Sequence, residues 1–285
     1  MRHIRIISLC AVGIVALAGC EKSGNSEVSR AFKDVNVVDE SNMSDIMLTV
    51  ADPNEAVSYF KRSSAENPDR ADLQRGLAQS LVRAKRASEA LPVYVKLLAH
   101  EDSTNEDRVN YADALIRADQ WPEAEAALNK VPPTHETFKR YRLEAMIADS
   151  NKQWKKADSF YETAVGLTTK PSGVLNNWGY SKLARGDYAG AERLFGDAIR
   201  QDKSLFTAKN NMVLARGAQG NYNLPVIPMN QTERAELLHT MALAAIKRGD
   251  VETGKGLLRE AVNTHPQHFE AAVRSLRALE ANVTN

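Results

Sequence analysis

The chain has 285 residues, 43% of them hydrophobic and 26% charged, enough for one large folded domain or two ordinary ones and too apolar for a disordered chain. Its formal net charge is +1, and setting aside Arg2 and Arg5 leaves 35 basic against 36 acidic residues, so nothing attracts nucleic acid electrostatically. Aromatics are only 6% and alanine is plentiful, which favours closely packed helices over a β-sandwich.

The first nineteen residues read as an export signal. Met1 to Arg5 is a positive start, and Ile6 to Leu17 is an apolar stretch shorter than the roughly 20 residues a spanning helix needs. The stretch ends in Leu17-Ala18-Gly19-Cys20, which matches the bacterial lipobox. In proteins with that motif the cysteine thiol takes a diacylglycerol and cleavage falls just before it. The expected lipid on Cys20 is the only cofactor-like group the sequence calls for. Glu21 follows, not the aspartate that commonly retains lipoproteins in the inner membrane. By resemblance to that sorting rule, the expected location is the outer membrane, facing the periplasm. With Cys10 removed and Cys20 acylated, the mature body holds no free thiol and no disulfide, which excludes cysteine catalysis and cysteine-based zinc sites.

Residues 20–42 are polar, with little apolar period, and read as a lipidated flexible tether. Ser41 to Ala51 is a short amphipathic stretch with the pattern of a first helix. A repeat then runs through the body, predicted over 43–285. Ala56, Ala90, Ala124, Ala157 and Ala191 recur at spacings of 34, 34, 33 and 34. Four residues after each come Phe60, Tyr94, Leu128, Tyr161 and Phe195; seven after come Ser63, Leu97, Val131, Ala164 and Ala198. Twelve before the later anchors lie Ala78, Ala112, Ala145 and Gly179. Small residues let paired helices approach, and the large residue fills the space between repeats. This is the tetratricopeptide-repeat (TPR) pattern. It predicts an all-α, right-handed solenoid of about six helix pairs with a closing helix, about Phe269 to Ala281.

Punctuation agrees with the period. Asp52-Pro53-Asn54-Glu55 offers an N-cap, a proline at the first helical position and a capping-box glutamate. Asn67-Pro68 ends that helix, Ser103 to Glu106 reads as a second capping box, and Trp121-Pro122 starts another second helix. Arg185-Gly186-Asp187-Tyr188 and Arg248-Gly249-Asp250 read as turns between paired helices. The anchor due at 225 is instead Pro225, with Pro228 one turn later. Two interior prolines would each cost about 3 kcal/mol in a helix. An irregular segment over about 219–230 is therefore expected in place of a second helix, with the repeat resuming near Thr232.

No metal site is expected. His265 and His268 are three apart but flank Pro266 at an inter-repeat turn, with no third ligand near in sequence. No nucleophile elbow or phosphate-binding glycine loop is present, so the chain is expected not to be an enzyme and not to bind a small-molecule substrate. The polar residues of interest lie on the first helices. The sixth position of a repeat holds Asn110, Asn177 and Asn211, a position that faces the concave groove in many TPR proteins. Asparagine there offers both a donor and an acceptor to an extended peptide backbone. Tyr180 and Asn210 are candidates for the same wall; asparagines that merely polarise a solvated helix face are the alternative.

The lipobox, polar tether and TPRs, with the run AsnAsnMetValLeuAlaArgGlyAlaGlnGlyAsnTyr then LeuProValIlePro, resemble the TadD family, the TPR lipoproteins of the tight-adherence (Tad, or Flp) pilus system. The closing LeuLeuHisThrMetAlaLeu…GlyLeuLeuArgGluAlaVal…HisPro is similar to that family too. The resemblance implies a pilotin that helps an outer-membrane secretin localise and assemble, with the secretin or other Tad pilus components as groove partners. The alternatives are an assembly or chaperone lipoprotein unrelated to pili and, more remotely, an envelope hydrolase using His265 and His268.

Overall fold

The computed structural model describes residues 43–281; the signal segment 1–19, Cys20, the tether 20–42 and the last four residues lie outside the described residues. Fourteen helices and no strand are found among the described residues. The chain divides after Arg86 into two compact units.

The first unit holds α1 (43–49), α2 (Pro53–Glu66) and α3 (Ala71–Arg83). Helix α2 starts with the expected N-cap and proline, without the reciprocal bond expected of Glu55. Pro53 has no N–H to lose, and Asp52 Oδ1 accepts from the backbone N–H groups of Asn54 (2.8 Å) and Glu55 (3.4 Å). Ala56, Phe60 and Leu73 form its core, with Met47 and Leu48 of α1 packed against them. Gly76 faces the Phe60 ring with no room for a Cβ, so the small residue sets how closely α3 approaches α2. At the end of α1 the Arg83 guanidinium donates to the carbonyls of Met47 (2.9 Å), Leu48 (2.6 Å) and Ala51 (3.0 Å). Those carbonyls include the ones a helix C-terminus leaves unpaired.

The second unit runs through α4 (Ala87–Leu98), α5 (Asn105–Arg117), α6 (Trp121–Leu128), α7 (Phe138–Ser150), α8 (Trp154–Gly166), α9 (Ser172–Ala184) and α10 (Tyr188–Gln201). It continues with α11 (Phe206–Ala218), α12 (Gln231–Lys247), α13 (Val251–Thr264) and α14 (Glu270–Ala281). Helices α5/α6, α7/α8, α9/α10 and α12/α13 pack as hairpins, and α14 closes on α13. The repeat columns are its core: Ala90, Ala124, Ala157 and Ala191 are fully buried, and so, to within a few per cent, are Tyr94, Leu128, Tyr161 and Phe195. In the last hairpin Gly254, Leu258 and Ala261 are buried in the same three columns. Ser63 in the first repeat is the exception, only half-buried.

The hairpin turns share one device. In the second unit the backbone turns left-handed five residues before each later anchor: Asp119 (φ 60°), Lys152 (φ 57°), Gly186 (φ 85°) and Gly249 (φ 93°). Only the last two are glycine, the residue that takes this conformation without strain. The expected capping box at Ser103–Glu106 is displaced by one residue. Thr104 caps α5, its Oγ1 accepting from the Asp107 N–H, while Asp107 Oδ2 accepts from the Thr104 N–H. Aspartate at N3 closes the reciprocal pair that glutamate was expected to close.

The proline-bearing segment is irregular, as predicted. The turn survives at Gly220 (φ 78°), thirty-four residues after Gly186, so the repeat breaks only after the turn is made. Residues 221–230 are non-helical, with Leu224, Ile227 and Met229 packed onto neighbouring core and Val226 fully exposed. Proline alone is not the breaker, because α4 accommodates Pro92 in its interior. Without a second helix beside it, α11 packs directly on α12. There Lys209, only 2% exposed, is paired with Glu233 (2.8 Å), which also closes the α12 capping box with Asn230.

Candidate functional site

A cavity of about 540 Å³ in the second unit opens over the first helices α7, α9 and α11. Helix α9 supplies Asn176, Asn177, Tyr180, Ser181 and Ala184; α11 supplies Thr207 and Asn211. Helix α7 supplies Met146, Asp149 and Ser150. The far wall is aromatic: Trp121 and Trp154, the opening residues of α6 and α8, and Tyr161 within α8. Apolar atoms dominate the surface, with a few polar groups among them, the usual make-up of a ligand pocket.

Three of the five sequence-predicted residues meet here. Asn211 Nδ2 donates to Asn176 Oδ1 (3.1 Å), joining α11 to α9, and Asn177 Nδ2 lies 4.0 Å from the Met146 sulfur, leaving its carbonyl oxygen open. Tyr180 is 59% exposed. The other two are placed elsewhere. Asn110 is buried on α5 and its oxygen accepts from Lys139 Nζ, which also pairs with Asp113 (3.3 Å). Asn210 Oδ1 accepts from Thr240 Oγ1 (2.8 Å) in the α11–α12 seam. Both serve helix-to-helix contacts: Asn110, at the sixth position, meets Lys139 of α7, and Asn210, one position earlier in its repeat, meets Thr240 of α12.

Sequence reasoning missed Trp121, Trp154, Asn176 and Asp149. The tryptophans had a signal, since each stands three residues before its anchor alanine. Asp149 had none: its place depends on Tyr161 of α8 and Ser181 of α9 converging on it. The Tyr161 hydroxyl donates to Oδ2 (3.0 Å) and the Ser181 hydroxyl to Oδ1 (2.7 Å). Burial raises the Asp149 pKa above the ordinary carboxylate value, more than these hydrogen bonds lower it. Burial also pushes the Tyr161 phenol far up. Behind the cavity, Asp158 ties α8 to α9. It accepts from Trp178 Nε1 (2.6 Å), Arg185 Nη2 (2.6 and 2.8 Å) and Lys182 Nζ (3.2 Å). Burial acts to raise its pKa, and the three donors outweigh that and hold it below the ordinary value.

The histidine pair builds no cluster. His265 stacks on Phe269 (4.9 Å between centroids), while His268 Nε2 meets Glu270 (2.8 Å). Among the described residues no three His, Cys, Asp or Glu side chains come together as metal ligands would.

The tetratricopeptide-repeat family model matches residues 48–108 and 81–147, spanning α2 through most of α7. The same hairpins continue beyond it to α13. The described chain is a TPR array. Solved structures share the architecture. The Cut9–Hcn1 hetero-tetramer of the APC/C is 15% identical with a TM-score of 0.59, covering 80% of this chain and 46% of that one. This chain thus spans less than half of that one. PilW, described as a widely conserved type IV pilus biogenesis factor, is 15% identical over 76% of this chain and 98% of that one, with a TM-score of 0.56. The pilF protein of Pseudomonas aeruginosa is 15% identical over 74% and 97%, with a TM-score of 0.51. Identities this low establish the TPR fold and nothing finer. No curated protein matches by sequence.

Proposed function

We propose that the chain is an outer-membrane TPR lipoprotein, anchored through Cys20, that acts as a protein-interaction scaffold and pilotin in Tad pilus assembly. In this reading residues 1–19 are removed, 20–42 form the tether, and the TPR body binds an extended segment of the secretin or another pilus component. The observation that carries it is the cavity over α7, α9 and α11, where Asn177 and Asn211 stand on successive first helices beside an aromatic wall. Side-chain amides satisfy the backbone of an extended chain, and the apolar surface takes its side chains. The pilus assignment rests on the resemblance to the TadD family. It is supported by the fold likeness to PilW and pilF, the first of which is described as a pilus biogenesis factor. A lipid anchor suits the role, because confinement to a layer beneath the membrane raises the effective concentration toward a membrane-bound partner.

The test is deletion of the gene followed by separation of the outer membrane and a blot for the heat-resistant secretin multimer. The expected result is loss or mislocalisation of the multimer, restored by the wild-type chain and not by Cys20→Ala. Restoration should also fail with the folded double variant Asn177→Ala/Asn211→Ala. A multimer normal in amount and place in the deletion strain refutes the pilotin role.

A further inference from the structure

We propose that the cavity over α7, α9 and α11 selects a basic side chain, lysine or arginine, from the extended segment it binds. This rests on the groove reading above and specifies its ligand. The cavity contains no lysine or arginine, and Asp149 is its one acidic group. A carboxylate has about four acceptor positions. Tyr161 and Ser181 fill two of them, one on each oxygen, and leave the others open. Two nearby basic side chains are committed elsewhere. Arg185 and Lys182 are both held by Asp158, and Lys182 also pairs with Asp187 (3.3 Å).

The walls suit the same ligand. Trp121, Trp154 and Tyr180 line the cavity with Asp149, and aromatic faces attract cations. Trp154 already does this on one side, with the Arg185 guanidinium carbon 5.7 Å from its ring centroid. The alkyl stem of a lysine or arginine matches the apolar surface, while its head meets the carboxylate. A peptide carboxylate or acidic side chain would meet the Asp149 carboxylate there and no cation of the cavity lining.

The experiment screens a random twelve-residue peptide library against the full-length acylated protein in detergent micelles. Selected peptides are resynthesised with the basic residue kept or replaced by norleucine. The expected result is lysine or arginine at one fixed position, and binding weakened about tenfold by norleucine, as for loss of a charge-assisted hydrogen bond. Asp149→Asn, close to isosteric and checked for folding by circular dichroism, should bring that ratio near one while the norleucine peptide still binds. Should that variant fail to fold, the exposed Tyr180→Leu, which removes one aromatic wall, should lower the ratio in its place. Binders with no basic position, or a ratio unchanged in the folded variant, overturn this inference and leave the groove reading intact. A library that yields no binder, or only binders indifferent to Asn177→Ala/Asn211→Ala, overturns both.

Discussion

Gly179 and Gly256 both sit inside helices, yet the same substitution at each should act in opposite directions. A Cβ built on Gly179 of α9 lies 2.6 Å from Phe195 Cε1, 2.8 Å from Cδ1 and 3.1 Å from Cζ. Carbon atoms in contact rest at about 3.5–4.0 Å, so the overlap is close to 1 Å. Phe195 is fully buried and its ring has nowhere to go. Overpacking of this kind costs about 1–3 kcal/mol, against about 1 kcal/mol gained from alanine's better helix propensity. Gly179→Ala should therefore lose about 1 kcal/mol net. Gly256 of α13 is exposed and has no atom within 4 Å of the added Cβ, so Gly256→Ala should gain about 1 kcal/mol from the same propensity term. For a chain this size, 1 kcal/mol moves Tm by about 2–4 °C. Thermal unfolding followed by far-UV circular dichroism should place the two variants on opposite sides of wild type. In a Phe195→Leu background, Gly179→Ala should cost at least about 0.5 kcal/mol less, the coupling expected of residues in contact. A Gly179→Ala protein that melts above wild type would refute the claim that this column sets the α9–α10 spacing.

Lys152→Gly should raise Tm by 1–2 °C, since relief of a left-handed lysine (about 1 kcal/mol) exceeds the added chain entropy of glycine (about 0.5 kcal/mol); a scan showing a fall counts against strain at that turn. Asp158→Ala leaves Trp178, Arg185 and Lys182 without their shared acceptor and should cost about 1–3 kcal/mol near neutral pH. Because the folded Asp158 pKa is depressed, that stabilisation is present above its ordinary value of 3.8 and fades as pH falls through the lower folded value. The Tm gap between variant and wild type should accordingly narrow on acidification, and a constant gap would discount the charge. Asp149 runs the other way: its folded pKa is raised, so its contribution is full below 3.8 and is lost as pH rises through the folded value. Asp149→Asn should melt no lower than wild type at pH 7, and a large fall would mark the carboxylate as structural. His239, whose pKa burial lowers, favours the fold above its ordinary 6.5 and disfavours it as pH falls below. His239→Gln should flatten the acid side of the melting profile between pH 6.5 and 5.

The fold was readable because its core is periodic. Ala124, Ala157 and Ala191 each need a small neighbour-facing residue for the same packing reason, so the columns recur and can be counted. Pro225 and Pro228 marked the break correctly, although Pro92 shows that one proline need not end a helix where the surrounding repeat holds it. The capping box moved by one residue because Thr104 and Asp107 form as good a reciprocal pair as the serine and glutamate beside them. The site was legible in part. Asn177 and Asn211 share a repeat position and were found by counting. Asn110 shares it too, yet is consumed by Lys139 one repeat on, a pairing that spacing within one repeat does not reveal. Asp149 is a lone acid in sequence and becomes a candidate only when Tyr161 and Ser181 converge on it from two other helices.

The missing helix after α11 also bears on how the molecule comes apart. In a stack where each repeat touches only its neighbours, stability is a sum of local terms and nearest-neighbour couplings. At 221–230 one whole coupling partner is replaced by ten residues of non-helical chain, and α11 meets α12 through Lys209–Glu233, Asn210–Thr240 and a close approach at Gly217 and Ala244. The apolar cluster of Val213, Leu237 and Met241 lies in the same seam. With one helix fewer beside it, this junction is where α12–α14 are expected to open as a separate cooperative block while the hairpins before it stay folded. Hydrogen exchange would register the boundary as a step in protection between α11 and α12, set by salt and pH as well as by temperature.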